Sequence, residues 1–451
     1  MKRPDTYRFA VLGDVHYCLD REGLYPAGCA ETDDKPRYVW MRTHLFPKLL
    51  AELQEHAPEM VICTGDIVEG GAGEPSVIRR ELEEVFARFS EAKLPILNAK
   101  GTHETGIYSE VALPLFSSLL GEKITENYFV VDRGGARLVV LDYLKLAPGT
   151  KQAQWLRDCL QSTPEGMPLF IFAHAPFVLS ARPFFSYEPM QQVLNDVFSR
   201  RPPTVFFCGH THNQAFTYHR RGYGAFVQIK GSSEGFPAAP IEPLEIRHVL
   251  LLGEEDTYYW GTLEDQCPAY WILDVSGGSI LASWYGVGYG LLGQAQLSIA
   301  GEEPVILKRP AFRVNYLCAN DLPLVQQASL EACMYDGGKG DFEFCLNGER
   351  LGFMAPNNYF APRRFLPLTK GAIVSLKARN EITVVRGSAP SWLLGGVRIV
   401  AWTYDGRRLV SRVPPHLLGC GDYAKRTAGD PNFKMVGPEE SVCIDLNIDE
   451  G

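Results

Sequence analysis

The N-terminal part of the chain alternates short apolar runs with longer segments in which apolar residues recur every three or four positions. Wholly apolar runs predict strands buried on both faces, and the longer segments predict amphipathic helices packed over them. We therefore expect an α/β layered fold. The predicted strands are residues 9–12, 60–63, 94–97, 138–141, 169–172, 205–207 and 225–229, the predicted helices are 37–53, 76–92, 152–160 and 189–199, and hairpins are predicted at Gly134-Gly135 and Gly277-Gly278.

The pattern changes after the glycine-rich stretch 286–293, where helical periodicity fades and short strands separated by turn residues continue towards the C-terminus. Asn347-Gly348 and Asp405-Gly406 each separate two strand-like runs and predict two-residue hairpin turns. We predict a first domain over residues 1–290 and an all-β sandwich domain over residues 300–451.

The composition of the chain disfavours several classes of function and location. The 451 residues are 46% hydrophobic and 22% charged, as in ordinary folded proteins of two or three domains. The net charge of −9 disfavours a nucleic-acid partner. No apolar run approaches the roughly 20 residues of a membrane span, and the first run is too short for a signal peptide. Eleven cysteines without regular spacing fit a reducing compartment, so we expect a soluble cytoplasmic protein.

Candidate metal ligands follow five of the apolar runs. In an open α/β sheet, the loops that leave the carboxyl ends of strands line one crevice, so clusters distant in sequence meet in space. Glycines beside these ligands let the chain turn sharply and leave room for an ion. The five clusters are Gly13-Asp14-Val15-His16, Gly65-Asp66, Gly101-Thr102-His103-Glu104, Ala173-His174-Ala175-Pro176 and Gly209-His210-Thr211-His212.

Mixed imidazole and carboxylate ligands suit Zn, Fe or Mn, whereas an all-oxygen set would indicate Ca or Mg. An aspartate can bridge two ions through its two oxygens. Two ions about 3.5–4 Å apart hold an attacking hydroxide and the substrate oxygens together during displacement at phosphorus. The expected chemistry is therefore hydrolysis of a phosphoester.

Asp-x-His, Gly-Asp, Gly-x-His-Glu, a lone histidine after a strand and Gly-His-x-His occur in this order along the chain. The series resembles the calcineurin-like metallophosphoesterase family over roughly residues 7–285. The resemblance implies a four-layer α/β/β/α sandwich and two divalent or trivalent metal ions, Mn, Fe or Zn. It implies that Asp14, His16 and His212 hold the first ion, that His174 and His210 hold the second, that Asp66 bridges them, and that His103 protonates the leaving group or steadies the transferring phosphoryl.

One residue departs from the family pattern. The family has Asn where this chain has Thr102, and the Asn side-chain oxygen binds the second metal. A Thr hydroxyl can still ligate, but it is a shorter and weaker donor, so we expect a looser second site or a preference for a different ion. Asn98 is close in sequence but falls within or just after a strand, and we do not expect it to substitute.

The other histidines have ordinary structural explanations, because none stands in a strand-end cluster. These are His44, His56, His219, His248 and His416. Loops beside the clusters commonly select the substrate. Position alone makes Tyr17, Asn213, Tyr223 and Glu234 candidates for contacting it.

The C-terminal domain resembles galactose-binding-like jelly rolls at the level of its strand pattern. Trp392 and Trp402 could stack on a sugar. We instead favour a structural role, in which the β-sandwich domain narrows the mouth of the active site or forms a homo-oligomer. For the whole chain we predict a metal-dependent phosphoester hydrolase that acts on a small phosphorylated substrate. We favour a phosphodiesterase, because no Arg or Lys stands in the ligand clusters to meet the extra charge of a monoester. The alternatives are a phosphomonoesterase, or a glycan- or partner-binding protein with a weakened phosphoesterase-like site.

Overall fold

The structure is a computed structural model, and its chain divides into two compact units, Met1–Phe312 and Arg313–Gly451. The described residues are 6–19, 41–70, 73–104, 106–178, 187–222, 224–233, 255–262, 268–311, 316–335, 342–354, 363–386, 392–404, 407–412, 434–436 and 441–446.

The first unit contains fourteen described strands in two sheets. They are β1 (Tyr7–Leu12), β2 (Met60–Cys63), β3 (Ile96–Asn98), β4 (Phe129–Arg133), β5 (Ala136–Val140), β6 (Leu169–Phe172), β7 (Val205–Cys208), β8 (Ala215–Arg221), β9 (Gly224–Lys230), β10 (Asp256–Gly261), β11 (Ala269–Ser276), β12 (Ser279–Gly286), β13 (Gly290–Ser298) and β14 (Val305–Lys308).

Each sheet contains a parallel region. The first sheet has the order β14-β13-β12-β11-β1-β2-β3, and β1, β2 and β3 run parallel. The second has the order β10-β8-β9-β7-β6-β5-β4, and β5, β6, β7 and β9 run parallel. Parallel neighbours end at one edge of their sheet, so the residues that follow them are brought together there.

Five described helices cover the sheets of this unit. Local signals fix several of their ends: Glu74 and Thr150 cap two N-termini through their side chains, and Gly121 ends another helix in the left-handed conformation. The helices are α1 (Phe46–His56), which follows a π-helical turn at Met41–Leu45, α2 (Pro75–Glu91), α3 (Tyr108–Leu120), α4 (Lys151–Gln161) and α5 (Glu188–Phe198).

The two sheets pack face to face. The Phe9 ring of β1 lies 5.1 Å from that of Phe170 and 6.2 Å from that of Phe172, both in β6 of the other sheet. The same core includes apolar residues of α1, α2 and α3, whereas α4 and α5 pack in a separate core against the second sheet. The layers are therefore α/β/β/α, as the family resemblance implies. Full burial of one Phe side chain stabilises such a core by about 1.5–3 kcal/mol.

The sequence predictions for this unit are confirmed in outline. All seven predicted strands and both glycine hairpins are present, although β3 lies about two residues later than predicted. α3 was not predicted. The first unit also extends beyond the predicted boundary, because β13 and β14 add two strands to the first sheet. None of the described helices combines the length and apolar character needed to cross a bilayer.

The second unit is rich in β-structure. Its sheets have the orders β18-β15-β20-β21, with β22 also paired to β20, and β17-β16-β19-β23, and apolar residues of both sheets share one core. This arrangement is a β-sandwich. The elements are β15 (Val325–Tyr335), β16 (Phe342–Leu346), β17 (Glu349–Met354), β18 (Arg363–Pro367), α6 (Lys370–Val374), β19 (Arg379–Arg386), β20 (Trp392–Thr403), β21 (Arg408–Val410), β22 (Lys434–Val436) and β23 (Ser441–Asp445).

The Asn347-Gly348 hairpin between β16 and β17 is confirmed. The Asp405-Gly406 turn and the Trp392 side chain lie outside the described residues. Trp402 is 39% exposed. The jelly-roll likeness of this unit and its role in an oligomer stay predictions.

Candidate metal centre

The predicted ligands come from the carboxyl ends of five strands in two different sheets. The first sheet contributes the residues after β1, β2 and β3, and the second contributes those after β6 and β7. The site therefore lies where the parallel regions of both sheets end. The first sheet supplies Asp14, His16, Asp66, Thr102 and His103, and the second supplies His174, His210 and His212.

One set of candidate ligands, which we call the four-residue group, consists of Asp14, His16, Asp66 and His212. One ligand atom from each lies within 4.8 Å of those from the others. The Nε2 atoms of His16 and His212 are 3.2 Å apart, and His212 Nε2 lies 3.9 Å from Asp14 Oδ1. His16 Nε2 is also 3.9 Å from Asp66 Oδ2. This geometry fits one cation surrounded by four protein ligands.

A second set, the three-residue group, consists of Asp66, His174 and His210. His174 Nε2 lies 3.0 Å from Asp66 Oδ2 and 2.8 Å from His210 Nδ1. Asp66 belongs to both groups, which is the position of a bridging carboxylate. The structure thus brings together the Asp and His ligands inferred from the family resemblance, and the Thr102 hydroxyl lies beside them, 3.0 Å from Asp66 Oδ2.

The donor atoms have the character that a metal site requires. Asp14 Oδ2 is buried without a hydrogen-bond partner in the described structure. His174 Nδ1 faces the Thr64 carbonyl oxygen at 3.1 Å and so carries the ring proton. Nε2 lies 3.0 Å from Asp66 Oδ2, so a neutral ring would face the carboxylate with a lone pair, which is repulsive unless a proton or a cation lies between the two atoms. A buried, partly unpaired carboxylate beside imidazole lone pairs fits a cation.

The backbone at the ligands is unusual. Asp14, His16, Asp66, His210 and His212 all have positive φ angles, between 45° and 72°. Each such residue costs about 1–2 kcal/mol relative to the right-handed conformation. Hydrogen bonds between the turns hold this backbone, for example from Asp14 N to Gly65 O at 3.1 Å and from His16 N to Asp66 O at 2.9 Å. Backbone strain concentrated in this way is typical of functional sites.

Glycine is required at two points of close approach. Gly65 has φ +112°, and a Cβ atom there would lie 2.6 Å from His174 Nδ1. A Cβ atom at Gly101 would collide with the Asp66 carboxylate. These glycines let Asp66 approach its neighbours closely.

Burial and neighbouring charges shift the pKa values of the ligands. Burial raises the pKa of Asp14. Burial would also raise the pKa of Asp66, but His174 and His103 hold that pKa well below its usual range. Burial lowers the pKa of His174, yet Asp66 outweighs this and raises it to about 9. Burial also lowers the pKa of His210 well below its usual value. The electrostatic field at Asp66 therefore favours positive charge.

Thr102 and His103 hold the other side of Asp66. The Thr102 hydroxyl donates to Asp66 Oδ2 at 3.0 Å, and the His103 backbone N–H donates to Asp66 Oδ1 at 2.8 Å. His103 Nδ1 donates to the Glu69 carbonyl oxygen at 2.6 Å, while His103 Nε2 lies 4.0 Å from Asp66 Oδ2. The His103 side chain is 35% exposed. Burial lowers its pKa, but Asp66 and Glu69 raise it above the usual value.

The supporting roles of two acidic residues are not predicted from the sequence. The wholly buried Glu104 carboxylate accepts from the backbone N–H groups of Asp66 at 3.1 Å, Gly101 at 2.7 Å and Ile67. It thereby holds the turn that presents Asp66, and burial followed by the Asp66 charge raises its pKa to about 7. Glu69 contacts His16. The only sequence signal was that both acids follow closely after predicted site residues.

Two of the predicted substrate contacts have buried side chains. Tyr17 is buried, and its hydroxyl donates to Glu84 at 2.5 Å. Asn213 is also buried, and its Oδ1 accepts from the Thr211 hydroxyl at 2.7 Å. The structure brings neither side chain into the two ligand groups. Tyr223 and Glu234, the other two candidates, lie outside the described residues.

The remaining described histidines do not join these groups. His56 contacts the Tyr270 hydroxyl, and the buried His219 contacts Asp256 and Thr217. Asn98 interacts with the Tyr108 hydroxyl. His248 and His416 lie outside the described part of the chain.

Residues 7–214, which contain every predicted ligand, match the family model of calcineurin-like phosphoesterases. The first unit contains a calcineurin-like phosphoesterase domain. Metal-dependent hydrolysis of a phosphoester is the chemistry that this phosphoesterase domain and its two ligand groups support. None of the curated proteins matches the chain significantly.

The chain is also similar to several solved structures. A purple acid phosphatase from yellow lupin is 15% identical, with a TM-score of 0.45 over 68% of this chain and 55% of its own. A dimetal phosphatase from Danio rerio is 15% identical, with a TM-score of 0.43 over 66% of this chain and 100% of its own. GAP50, the anchor in the inner membrane complex of Plasmodium, is 13% identical, with a TM-score of 0.42 over 67% of this chain and 90% of its own. The present chain thus spans about half of the lupin enzyme.

Proposed function

We propose that this protein is a metal-dependent phosphodiesterase that hydrolyses a small phosphorylated substrate. The observation that carries the proposal is that Asp66 belongs to both ligand groups. Asp14, His16, Asp66 and His212 would hold one ion, and Asp66, His174 and His210 would hold the other. Bound Mn, Fe or Zn would supply an activated water and neutralise the charge that develops on the phosphate oxygens.

His103 is the proposed proton donor to the leaving alcohol. Its Nδ1–H is held by the Glu69 carbonyl, so Nε2 is the nitrogen available to meet a substrate. Asp66 and Glu69 favour the protonated ring, and the partly exposed side chain can reach a bound ester. General acid catalysis of this kind contributes about 10²–10⁴-fold to a rate.

The preference for a diester follows from charge. None of the five ligand clusters contains Arg or Lys. A monoester dianion carries one more negative charge than a diester, so it needs more positive charge nearby than these clusters offer. Arg and Lys suit phosphate recognition for this reason.

Hydrolysis assays test the proposal. With Mn, Zn or Fe added, we expect the protein to hydrolyse bis-p-nitrophenyl phosphate faster than p-nitrophenyl phosphate at equal concentration. A reversed preference would indicate the phosphomonoesterase alternative. A protein that binds metal but hydrolyses neither ester would contradict the enzyme and favour the binding-protein alternative.

The role of His103 has a separate test. His103→Gln should lower kcat/KM by about 10²-fold or more for an ester with a poor leaving group such as a simple alcohol. The loss should be much smaller for p-nitrophenyl esters, because p-nitrophenolate leaves without needing a proton. Equal losses for both esters would exclude His103 as the acid.

A further inference from the structure

Glu69 contacts two site histidines through different parts of the residue. Its carboxylate Oε2 lies 2.7 Å from His16 Nδ1, and its backbone carbonyl oxygen lies 2.6 Å from His103 Nδ1. The Glu69 side chain is itself mostly buried. Residue 69 lies three positions after Asp66, in the loop that leaves β2.

The carboxylate contact fixes how His16 faces the four-residue group. An ionised carboxylate only accepts hydrogen bonds, so His16 Nδ1 must carry the proton that it donates. The lone pair of neutral His16 then resides on Nε2, which is the nitrogen facing His212 and Asp66. A carboxylate behind a metal-binding imidazole fixes the ring orientation and makes the ring a more basic ligand.

The backbone contact acts on His103 in the same way. A carbonyl oxygen also only accepts, so the proton lies on His103 Nδ1 and Nε2 is directed away from Glu69. The two imidazole rings pack edge to face, with centroids 4.6 Å apart. A single residue therefore orients a candidate metal ligand through its carboxylate and the candidate acid through its backbone carbonyl, although the carboxylate also lies 3.8 Å from His103 Nδ1.

We propose that Glu69 is a positioning residue that sets the orientation and tautomer of His16 through its side chain and of His103 through its backbone. This inference depends on the proposed assignment of His16 as a metal ligand. It adds a residue that supports the four-residue group through a carboxylate, whereas a backbone carbonyl, that of Thr64, faces His174 Nδ1.

The test separates the two contacts in the full-length protein. Glu69→Ala removes the carboxylate but keeps the backbone carbonyl. We expect Glu69→Ala to weaken zinc binding to the tighter site about 10–100-fold in a calorimetric titration of metal-free protein. The weaker site should change by less than about twofold, because this carboxylate faces His16, which is not one of the ligands of that site. Glu69→Gln should restore most of the affinity, since its amide oxygen still accepts from Nδ1.

Ring nitrogen NMR of the zinc-loaded protein gives a readout that a merely structural role would not change. In Glu69→Ala, the His16 nitrogen signals should shift while those of His103 keep the Nδ1–H pattern. Glu74→Ala is the matched control, because Glu74 lies in the same loop, is exposed and caps α2. It should lower the melting temperature without changing zinc affinity.

Unchanged zinc affinity in Glu69→Ala, or an equal loss at both sites, would overturn the proposal. Failure of Glu69→Gln to recover affinity would also overturn it. These measurements use zinc alone and no substrate. A protein that shows the predicted zinc effects but hydrolyses no ester would refute the proposed function while supporting the role of Glu69.

Discussion

The two ligand groups of the site share Asp66 but differ in what surrounds it. The four-residue group offers one more protein ligand than the three-residue group, and the Glu69 carboxylate supports its His16. In the three-residue group, a neutral backbone carbonyl supports His174. More ligands and a charged supporting residue favour tighter binding. If the protein binds two ions as proposed, we expect the four-residue group to hold its ion more tightly than the three-residue group.

Thr102 strengthens this contrast. Its hydroxyl donates a hydrogen bond to Asp66 Oδ2, the same oxygen that faces His174. The hydroxyl keeps its lone pairs when it donates, but it is a shorter and weaker ligand than the amide oxygen that the family has at this position. The departure from the family motif therefore falls on the group that already has fewer ligands.

Substitution of the shared residue should have the largest effect. Asp66→Asn keeps the shape of the side chain but removes the charge between the two groups. We expect metal content measured by mass spectrometry to fall at both sites, and kcat/KM to fall by about 10³-fold or more, roughly 4 kcal/mol. The control Asp274→Asn changes a carboxylate that pairs with Arg8 and should leave both quantities unchanged. Retention of both ions in Asp66→Asn would refute its shared role.

Removal of one histidine from each group should have unequal effects. His210→Ala leaves two protein ligands in its group, and we expect the chain to keep about one ion after dialysis. His212→Ala leaves three ligands, the usual number at catalytic zinc sites, so its ion should stay with about 10–100-fold weaker affinity. Metal analysis and calorimetry measure both effects. Equal losses, or a larger loss in His212→Ala, would show that the four-residue group does not bind its ion more tightly than the three-residue group.

Glu104 supports the turn that both groups share. In Glu104→Gln, an amide NH₂ would replace one of the two oxygens that accept from the turn, so a backbone N–H would lose its acceptor. We expect the free energy of unfolding of the metal-free protein to fall by about 1–3 kcal/mol in urea titrations. Glu83→Gln, on the exposed side of α2, serves as the control. An unchanged urea midpoint in Glu104→Gln would show that the Glu104 carboxylate does not stabilise the turn that presents Asp66.

Thr102 should give the smallest and most selective effect. Thr102→Asn adds a side-chain carbonyl oxygen, and we expect about tenfold tighter binding of the weaker ion only, roughly 1.4 kcal/mol. Thr102→Val keeps the shape but removes the hydroxyl, and it should bring no gain. If Thr102→Asn leaves the affinity of the weaker site unchanged or strengthens the tighter site instead, residue 102 does not determine the difference in metal affinity between the two sites.

The sequence predicted the strands and the clustering of ligands because both depend on simple patterns. A strand buried on both faces must be apolar throughout, and parallel strands deliver the residues that follow them to one edge. α3 was missed because its buried Tyr108, Ala112, Leu113 and Phe116 alternate with further apolar residues and with Pro114, which hides the helical period. The first sheet continues past residue 290 because β13 pairs with β12 and β14 pairs with β13, and the fading helical period after residue 286 does not reveal this pairing.

The supporting residues could not be predicted in the same way. Glu69 and Glu104 act on backbone groups or on the rear of imidazole rings, and no spacing rule identifies such contacts. Tyr17 and Asn213 were chosen for their positions beside ligands, yet both side chains find partners inside the protein. Which way a side chain points in a turn depends on packing between sheets, and one sequence does not contain that information.

Anomalous X-ray diffraction from crystals soaked in zinc would show whether Asp66 is shared by two ions that bind with unequal affinity. We expect two peaks near Asp66: a strong one ligated by Asp14, His16 and His212, and a weaker one ligated by His174 and His210. Ligand distances should be about 2.0–2.2 Å. A single peak without Asp66 among its ligands, or equal peaks that persist at limiting zinc, would contradict it.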